Sequence, residues 1–374
     1  MLQRQSPTSP PSTRPSDAAA RQPQALGHGA AAPSRPRIIG LDIARALALA
    51  GMVSAHLISI DGPVAMLTSG FPAGLFALLA GTSLALMSER GVARGGTTLA
   101  RSRHSLIVRG VLLVVLHQLL APWSGSIQVV LEVFGMAYIA MACVPRWRTS
   151  TLWQLLVWLV LGSALVKIVG SSITLPGVFS FPYPLMAWMA YMTVGLLVHR
   201  LLTTSPRRQL LVLLVAAPVT AAGIVLRERV QVGYPTGESA SPSSLLPVAL
   251  DPGAHTGGLA DVVMTTAGSL SVVCLCLLLF RRQAWWSFPL QAMGSMSLTV
   301  YTAHILTAGP TLSAHGLGTY PALGYATVAL ALVLPTLLRL TWSRGPLEEL
   351  MRRLTRIATN PELPPRQVNH SARS

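Results

Sequence analysis

The sequence predicts an all-α, polytopic integral membrane protein with about ten transmembrane helices and both termini cytosolic. Composition is the first reason: 51% of the 374 residues are hydrophobic, only 11% are charged, and the mean hydropathy is +0.54. Soluble domains carry about 25% charged residues. The second reason is a series of ten apolar segments, near 38–60, 70–87, 106–121, 126–144, 151–170, 183–199, 209–226, 259–280, 289–308 and 319–341. Lipid offers a backbone N–H or C=O no partner, so each is expected to be helical. The third reason is the distribution of arginine: with the N-terminus inside, 24 arginines fall on cytosolic segments, leaving only Arg227 and Arg229 outside.

That alternation also accounts for the net charge of +16 without nucleic acid. Lys167 is the only lysine, and with abundant Ala, Gly and Pro this suits a GC-rich bacterial genome and its plasma membrane. Cys143, Cys274 and Cys276 all lie in apolar runs and read as small core residues, which excludes a disulfide scaffold.

In chain order, residues 1–36 are rich in Pro, Ser, Ala and Arg without an apolar stretch, and are expected to be a disordered cytosolic tail. The membrane domain runs over 37–343. In the first helix Asp42, Arg45 and His56 share one face, with Arg45 and His56 about 16 Å apart along the axis. The bland alternatives are a local i,i+3 ion pair for Asp42 and Arg45, and a helix-packing hydrogen bond for His56. In the second helix Gly74, Ala77 and Gly81 give the small-residue spacing of close helix packing.

Segments three and four are short, so they form either a re-entrant pair or two spans that share neighbours. His117 ends the third, Glu132 opens the fourth, and Glu132 needs a partner from outside its own helix or a proton. Lys167 lies close to the outer end of the fifth. After the seventh comes an extracytoplasmic loop, 227–258, long enough to be a lid or binding loop. His255 and Asp261 flank the start of the eighth helix, and Tyr301 and His304 sit on neighbouring faces of the ninth. A cytosolic tail, 344–374, closes the chain.

A charge at membrane depth costs about 2.5–3.5 kcal/mol, so intramembrane polar groups are functional suspects. His56, His117, Glu132, His255, Asp261, Tyr301 and His304 converge from five helices on the outer half, as a cavity lining would. No HxxxH spacing supports a metal, and none is expected. There is no GxxxxGK[ST] and no GxSxG elbow, which argues against an ATPase and a serine hydrolase.

The run RIIGLDIARALALAGMVSAHL (37–57) resembles the first helix of the acyltransferase-three family of bacterial membrane proteins, whose Asp, Arg and His spacing Asp42, Arg45 and His56 match. LFALLAGTSLAL (75–86) is similar to the second helix of heparan-α-glucosaminide N-acetyltransferase-like and YeiB-like proteins. AHTGGLADVVMTTAGSLSVVCLCLLL (254–279), MGSMSLTVYTAHI (293–305) and RGPLEELMRR (344–353) resemble YeiB-like motifs, with Ser295 where the usual pattern has Arg. The resemblance implies transfer of an acyl group, usually acetyl, from cytosolic acetyl-CoA or another acyl-CoA to a hydroxyl or amine of an extracytoplasmic glycan or glycolipid. Under it His56 is the base or transient acyl carrier, oriented by His304 and Glu132. Arg45, fixed by Asp42, would bind CoA phosphates with Arg101, Arg103 and Arg109. His255, Asp261, Tyr301 and His117 would meet the acceptor, Tyr301 also serving as an oxyanion donor. The alternatives are a transporter or flippase of a small solute or lipid-linked sugar, and a structural subunit.

Overall fold

In the computed structural model, residues 37–58, 67–179, 181–229, 245–282, 285–315 and 319–360 are described. The expected N-terminal tail, residues 230–244 of the expected outer loop and residues 361–374 of the expected C-terminal tail lie outside them. Among the described residues there are thirteen α-helices and no strand. In chain order they are α1 (Ile39–Leu57), α2 (Phe71–Arg94), α3 (Gly96–Leu120), α4 (Leu131–Ala140), α5 (Thr149–Gly170), α6 (Leu185–Leu201) and α7 (Pro206–Arg229). Then follow the short α8 (Leu245–Leu250), α9 (Leu259–Leu279), α10 (Phe288–Ser295), α11 (Ser297–His315), α12 (Pro321–Thr341) and α13 (Pro346–Thr359).

Seven of these are long and apolar enough to cross a bilayer: α1, α2, α3 with its following turn, α5, α7, α9 and α12. Helices α4 and α6 are apolar but shorter. Each of the ten expected segments holds a helix, with three differences. The third is not short: α3 starts at Gly96, because Arg101 and Arg103, which read as loop, lie on its first turns. The fourth shrinks to the ten residues of α4, whose flanks close into turns. The ninth is two helices, interrupted at Met296. Within the expected tail, residues 346–359 form α13, which packs on α3 and α11.

Leu119, Trp158, Leu165, Leu214, Val215 and Leu340 stand exposed on α3, α5, α7 and α12. A contiguous apolar exterior of this kind belongs in lipid, not water. Helix α2 is at the centre, in contact with α1, α3, α6 and α9. Gly81 lies against the Met192 carbonyl and Gly195 against the Leu78 carbonyl, so α2 and α6 meet backbone to backbone. Gly74 meets the Thr265 side chain on α9. The three small residues of α2 therefore serve packing. The turn from α2 to α3 uses Gly95 and Gly96, both with positive φ (68° and 49°), a conformation other residues resist.

Contacts between helix ends define two opposite ends of the bundle. At one, Tyr320 N–H donates to the Leu57 carbonyl at 2.8 Å and Tyr301 meets the segment before α4. At the other, Gly40 abuts Cys276, Gly294 abuts the Asp42 carbonyl, and Arg200 donates to the Pro145 carbonyl at 2.6 Å. Glu348 accepts the Leu298 and Thr299 N–H groups at 2.7 and 3.1 Å, capping the start of α11. Arg339 donates to Ser295 Oγ at 2.7 Å, tying α12 to the end of α10.

Filling either α2–α6 glycine should separate the two backbones. Gly81→Ala or Gly195→Ala is expected to lower unfolding stability in mixed micelles by about 1–3 kcal/mol; an unchanged unfolding midpoint in both variants would contradict this packing.

Candidate functional site

The last turn of α1 brings His56 to the middle of α11, where its Nδ1 lies 3.1 Å from His304 Nε2. The rings are parallel, 2° apart in plane, with centroids 5.4 Å apart. His304 is 3% exposed, and its Nδ1 is buried with no hydrogen-bond partner. One of the facing nitrogens must donate and the other accept. If His56 Nδ1–H donates, His56 Nε2 is left with a free lone pair and can act as a base. His304 then takes up part of any positive charge that His56 acquires.

His255 approaches the same place from the loop before α9. Its ring stands edge-on to Tyr183 at 5.4 Å and near-parallel to Trp188 at 6.2 Å. Its backbone has φ 62°, a left-handed conformation that costs a non-glycine residue roughly 1–2 kcal/mol. Something must hold it there, and two buried ion pairs do. Lys167 Nζ of α5 donates to Asp251 Oδ2 at 2.5 Å, while Asp251 Oδ1 accepts the Gly253 N–H at 2.7 Å. Arg227 of α7 donates from Nε to the Pro252 carbonyl (2.7 Å), from Nη1 to the Ser69 carbonyl (2.6 Å) and from Nη2 to Asp261 Oδ1 (3.1 Å). Asp261 also accepts from Thr265 Oγ1 (3.2 Å) and, through Oδ2, from the Gly257 N–H (3.1 Å). Ser163 Oγ fixes the Gly257 carbonyl at 2.7 Å. Both sides of the His255 turn are thereby pinned.

Burial pushes the His255 imidazole down to about 4, and the nearby Arg227 and His56 add to the effect. It is therefore neutral at ordinary pH.

The other expected residues are distributed as follows. Tyr301 is buried and its phenolic oxygen accepts the Val130 N–H at 3.2 Å, so its own O–H proton remains available to donate. Asp261 is 1% exposed and accepts from Arg227, Thr265 and Gly257, so that it braces the loop. Glu132, whose side chain is 40% exposed, meets His117 Nε2 at 3.5 Å rather than the His56–His304 pair. His117 Nδ1 is buried with no hydrogen-bond partner.

At the opposite end, Arg45 donates to Asp42 Oδ1 at 2.7 Å and to Ser83 Oγ at 2.8 Å, so the i,i+3 pair is formed. Arg45 and Arg109 both lie within electrostatic reach of the Tyr138 phenol. Arg101 is exposed and Arg103 half-buried, with its Nε buried and without a hydrogen-bond partner. Arg101 and Arg103 project about 160° apart around α3.

Sequence reasoning missed Lys167, Asp251 and Arg227 as the brace, and Tyr183 and Trp188 as the aromatic walls around His255. Lys167 and Arg227 carried a signal, as basic groups on the face that the positive-inside pattern leaves poor in charge.

Residues 242–358 match the family described as "Protein of unknown function (DUF418)", a family of YeiB-like membrane proteins. The matched stretch carries His255, Asp261, Tyr301, His304 and the capping Glu348, while His56 and Arg45 precede it. No curated protein matches the chain.

Two outcomes follow from the brace. Lys167→Met strands Asp251 as a buried, unpaired carboxylate and is expected to cost about 3–5 kcal/mol of stability, with Lys167→Met/Asp251→Leu recovering much of it; a single variant as stable as wild type would contradict the pairing. His255 has a folded value near 4 and an unfolded value of about 6.5. Its stabilising contribution is therefore complete above about pH 6.5 and is lost as pH falls through 4. His255→Gln should flatten the fall in stability over that window, as read by unfolding at a series of pH values.

Proposed function

We propose that this protein is a membrane acyltransferase that moves an acyl group, most simply acetyl, from cytosolic acyl-CoA to a hydroxyl or amine of an extracytoplasmic glycan or glycolipid. The observation that carries the reading is the hydrogen-bonded pair of half-buried His56 and buried His304, with His56 on the same helix face as an arginine held by Asp42 and Ser83. On this reading the chain crosses a bacterial plasma membrane ten times, with both termini and the arginine-rich end in the cytosol. Helices α4, α6 and α10–α11 complete the count beside the seven longer spans.

Arg45 and Arg109 then offer the cationic contacts that CoA phosphates need. About 16 Å of α1 separates Arg45 from His56, a distance within reach of the extended pantetheine arm. The acceptor's O–H or N–H proton passes to His56 Nε2 as its oxygen or nitrogen bonds to the thioester carbon. The C–S bond breaks, and the thiolate leaves with the proton returned by His56, so that acyl-S-CoA and the acceptor become acyl-acceptor and CoA-SH. Through the bond at Nδ1, His304 spreads the charge of the protonated imidazole. The Tyr301 O–H suits the developing oxyanion. His255, with its aromatic walls, and His117 with Glu132 fall on the acceptor side.

A second reading is a transporter or flippase. The interruption between α10 and α11 at Met296 favours it, because discontinuous helices in the membrane form ion and solute sites. Solute uptake by proteoliposomes without acyl-CoA consumption would decide for it.

For the transferase, His56→Ala is expected to lower acyl transfer in proteoliposomes by a factor of about 10²–10⁴ while insertion and unfolding stability stay close to wild type. His304→Gln should give a smaller loss. Full transfer by folded His56→Ala would refute this mechanism.

A further inference from the structure

Helix α12 presents lipid-facing side chains to its end, with Leu340 and Trp342 exposed, and the chain turns into α13 within four residues. The first turn of α13 therefore starts at the level of the bilayer surface. Around its axis α13 has three distinct sides. Met351 and Thr355 are buried against the protein, and Glu348 reaches the α11 cap. Leu350, Leu354 and Ile357 are exposed and form a stripe within about 60° of arc. Arg352, Arg353 and Arg356 occupy the third side. Apolar side chains 39–65% exposed beside a row of arginines suit neither water nor a protein core; they suit the boundary between headgroups and acyl chains.

A groove of about 640 Å³ opens where α12 meets α13, lined by Trp342, Arg344, Glu349, Leu350, Arg352 and Arg353. Glu349 gathers the arginines. Its carboxylate accepts from Arg352 at 2.5 and 2.8 Å and from Arg353 at 2.9 Å, with Arg344 at 3.7 Å. Three guanidinium groups around one carboxylate leave two positive charges, and most of their N–H donors are not used by Glu349. Planar guanidinium forks match phosphate oxygens.

We propose that α13 lies in the membrane interface and that its groove with the end of α12 is a headgroup site for an anionic phospholipid of the arginine-rich leaflet. The phosphate meets Arg344, Arg352 and Arg353, and an acyl chain lies along Leu350, Leu354 and Ile357. Because Glu348 of the same helix caps α11, a bound lipid also steadies the helix that carries His304.

The test uses the full chain in nanodiscs of phosphatidylcholine with a minor fraction of phosphatidylglycerol, followed by native mass spectrometry of the lipids that stay bound. Wild type should retain phosphatidylglycerol in preference, with Arg352→Gln and Arg353→Gln each reducing that preference about fivefold. Leu354→Ser/Ile357→Ser should reduce it as well, in a protein whose unfolding is unchanged. Equal retention of the two lipids, or a preference untouched by either arginine variant, would overturn the proposal. So would complete displacement by inorganic phosphate, which would make the occupant a soluble anion.

Discussion

Within a bilayer, a lysine and an arginine keep their charge only where a carboxylate and carbonyl oxygens meet them, and Lys167–Asp251 and Arg227–Asp261 meet that condition at one end of the bundle. Their four partners come from α5, α7, α9 and the segment between α8 and α9. Arg227 also ties the Ser69 carbonyl just before α2. Removing one member would leave a buried charge alone, which is why the pairs constrain their surroundings so strongly. What they constrain is the turn 251–258. It carries His255 in a left-handed conformation that is costly for a non-glycine residue. The aromatic walls of Tyr183 and Trp188, and the neighbourhood of His56, depend on that turn staying in place.

The ion pairs thus brace one end of the bundle. Ion pairs, caps and glycine contacts account for Asp42, Asp251, Asp261, Glu348, Lys167 and Arg227. Among the described residues, other buried polar atoms have no hydrogen-bond partner: Nδ1 of His304, His117 and His199, Nε of Arg103, Oε1 of Gln209 and Oγ1 of Thr302. Buried polar groups left in this state are uncommon in folded proteins. The YeiB-like match covers one side of the His56–His304 contact and the first helix supplies the other, so the pair is a product of tertiary structure.

Most of the fold was legible because hydropathy over some twenty residues is a strong local signal. The ten apolar segments each hold a helix, and the small residues of α2 were read correctly as packing positions. The boundaries were harder to read where polar residues ride on a helix, as Arg101 and Arg103 do on α3, or where an apolar run contains a break, as at Met296. At the site, the Asp42–Arg45 pair was legible because it is local. His56 and His304 were placed in the same half of the membrane, but their contact spans 248 positions of sequence and depends on how α1 and α11 rotate. Rotation also decides that Glu132 turns to His117. The Arg227–Asp261 pairing was not legible, because the two lie 34 residues apart and periodicity carries no information about such a contact.

The central claim, that a cytosolic acyl-CoA site at Arg45 feeds a base at His56, is tested most directly by acetyl-CoA binding to the purified protein in detergent. Calorimetry would compare wild type with Arg45→Ala and His56→Ala. The account predicts saturable binding that weakens on loss of Arg45 and survives loss of His56. Folded wild-type protein that binds no acyl-CoA, of any chain length, would contradict it.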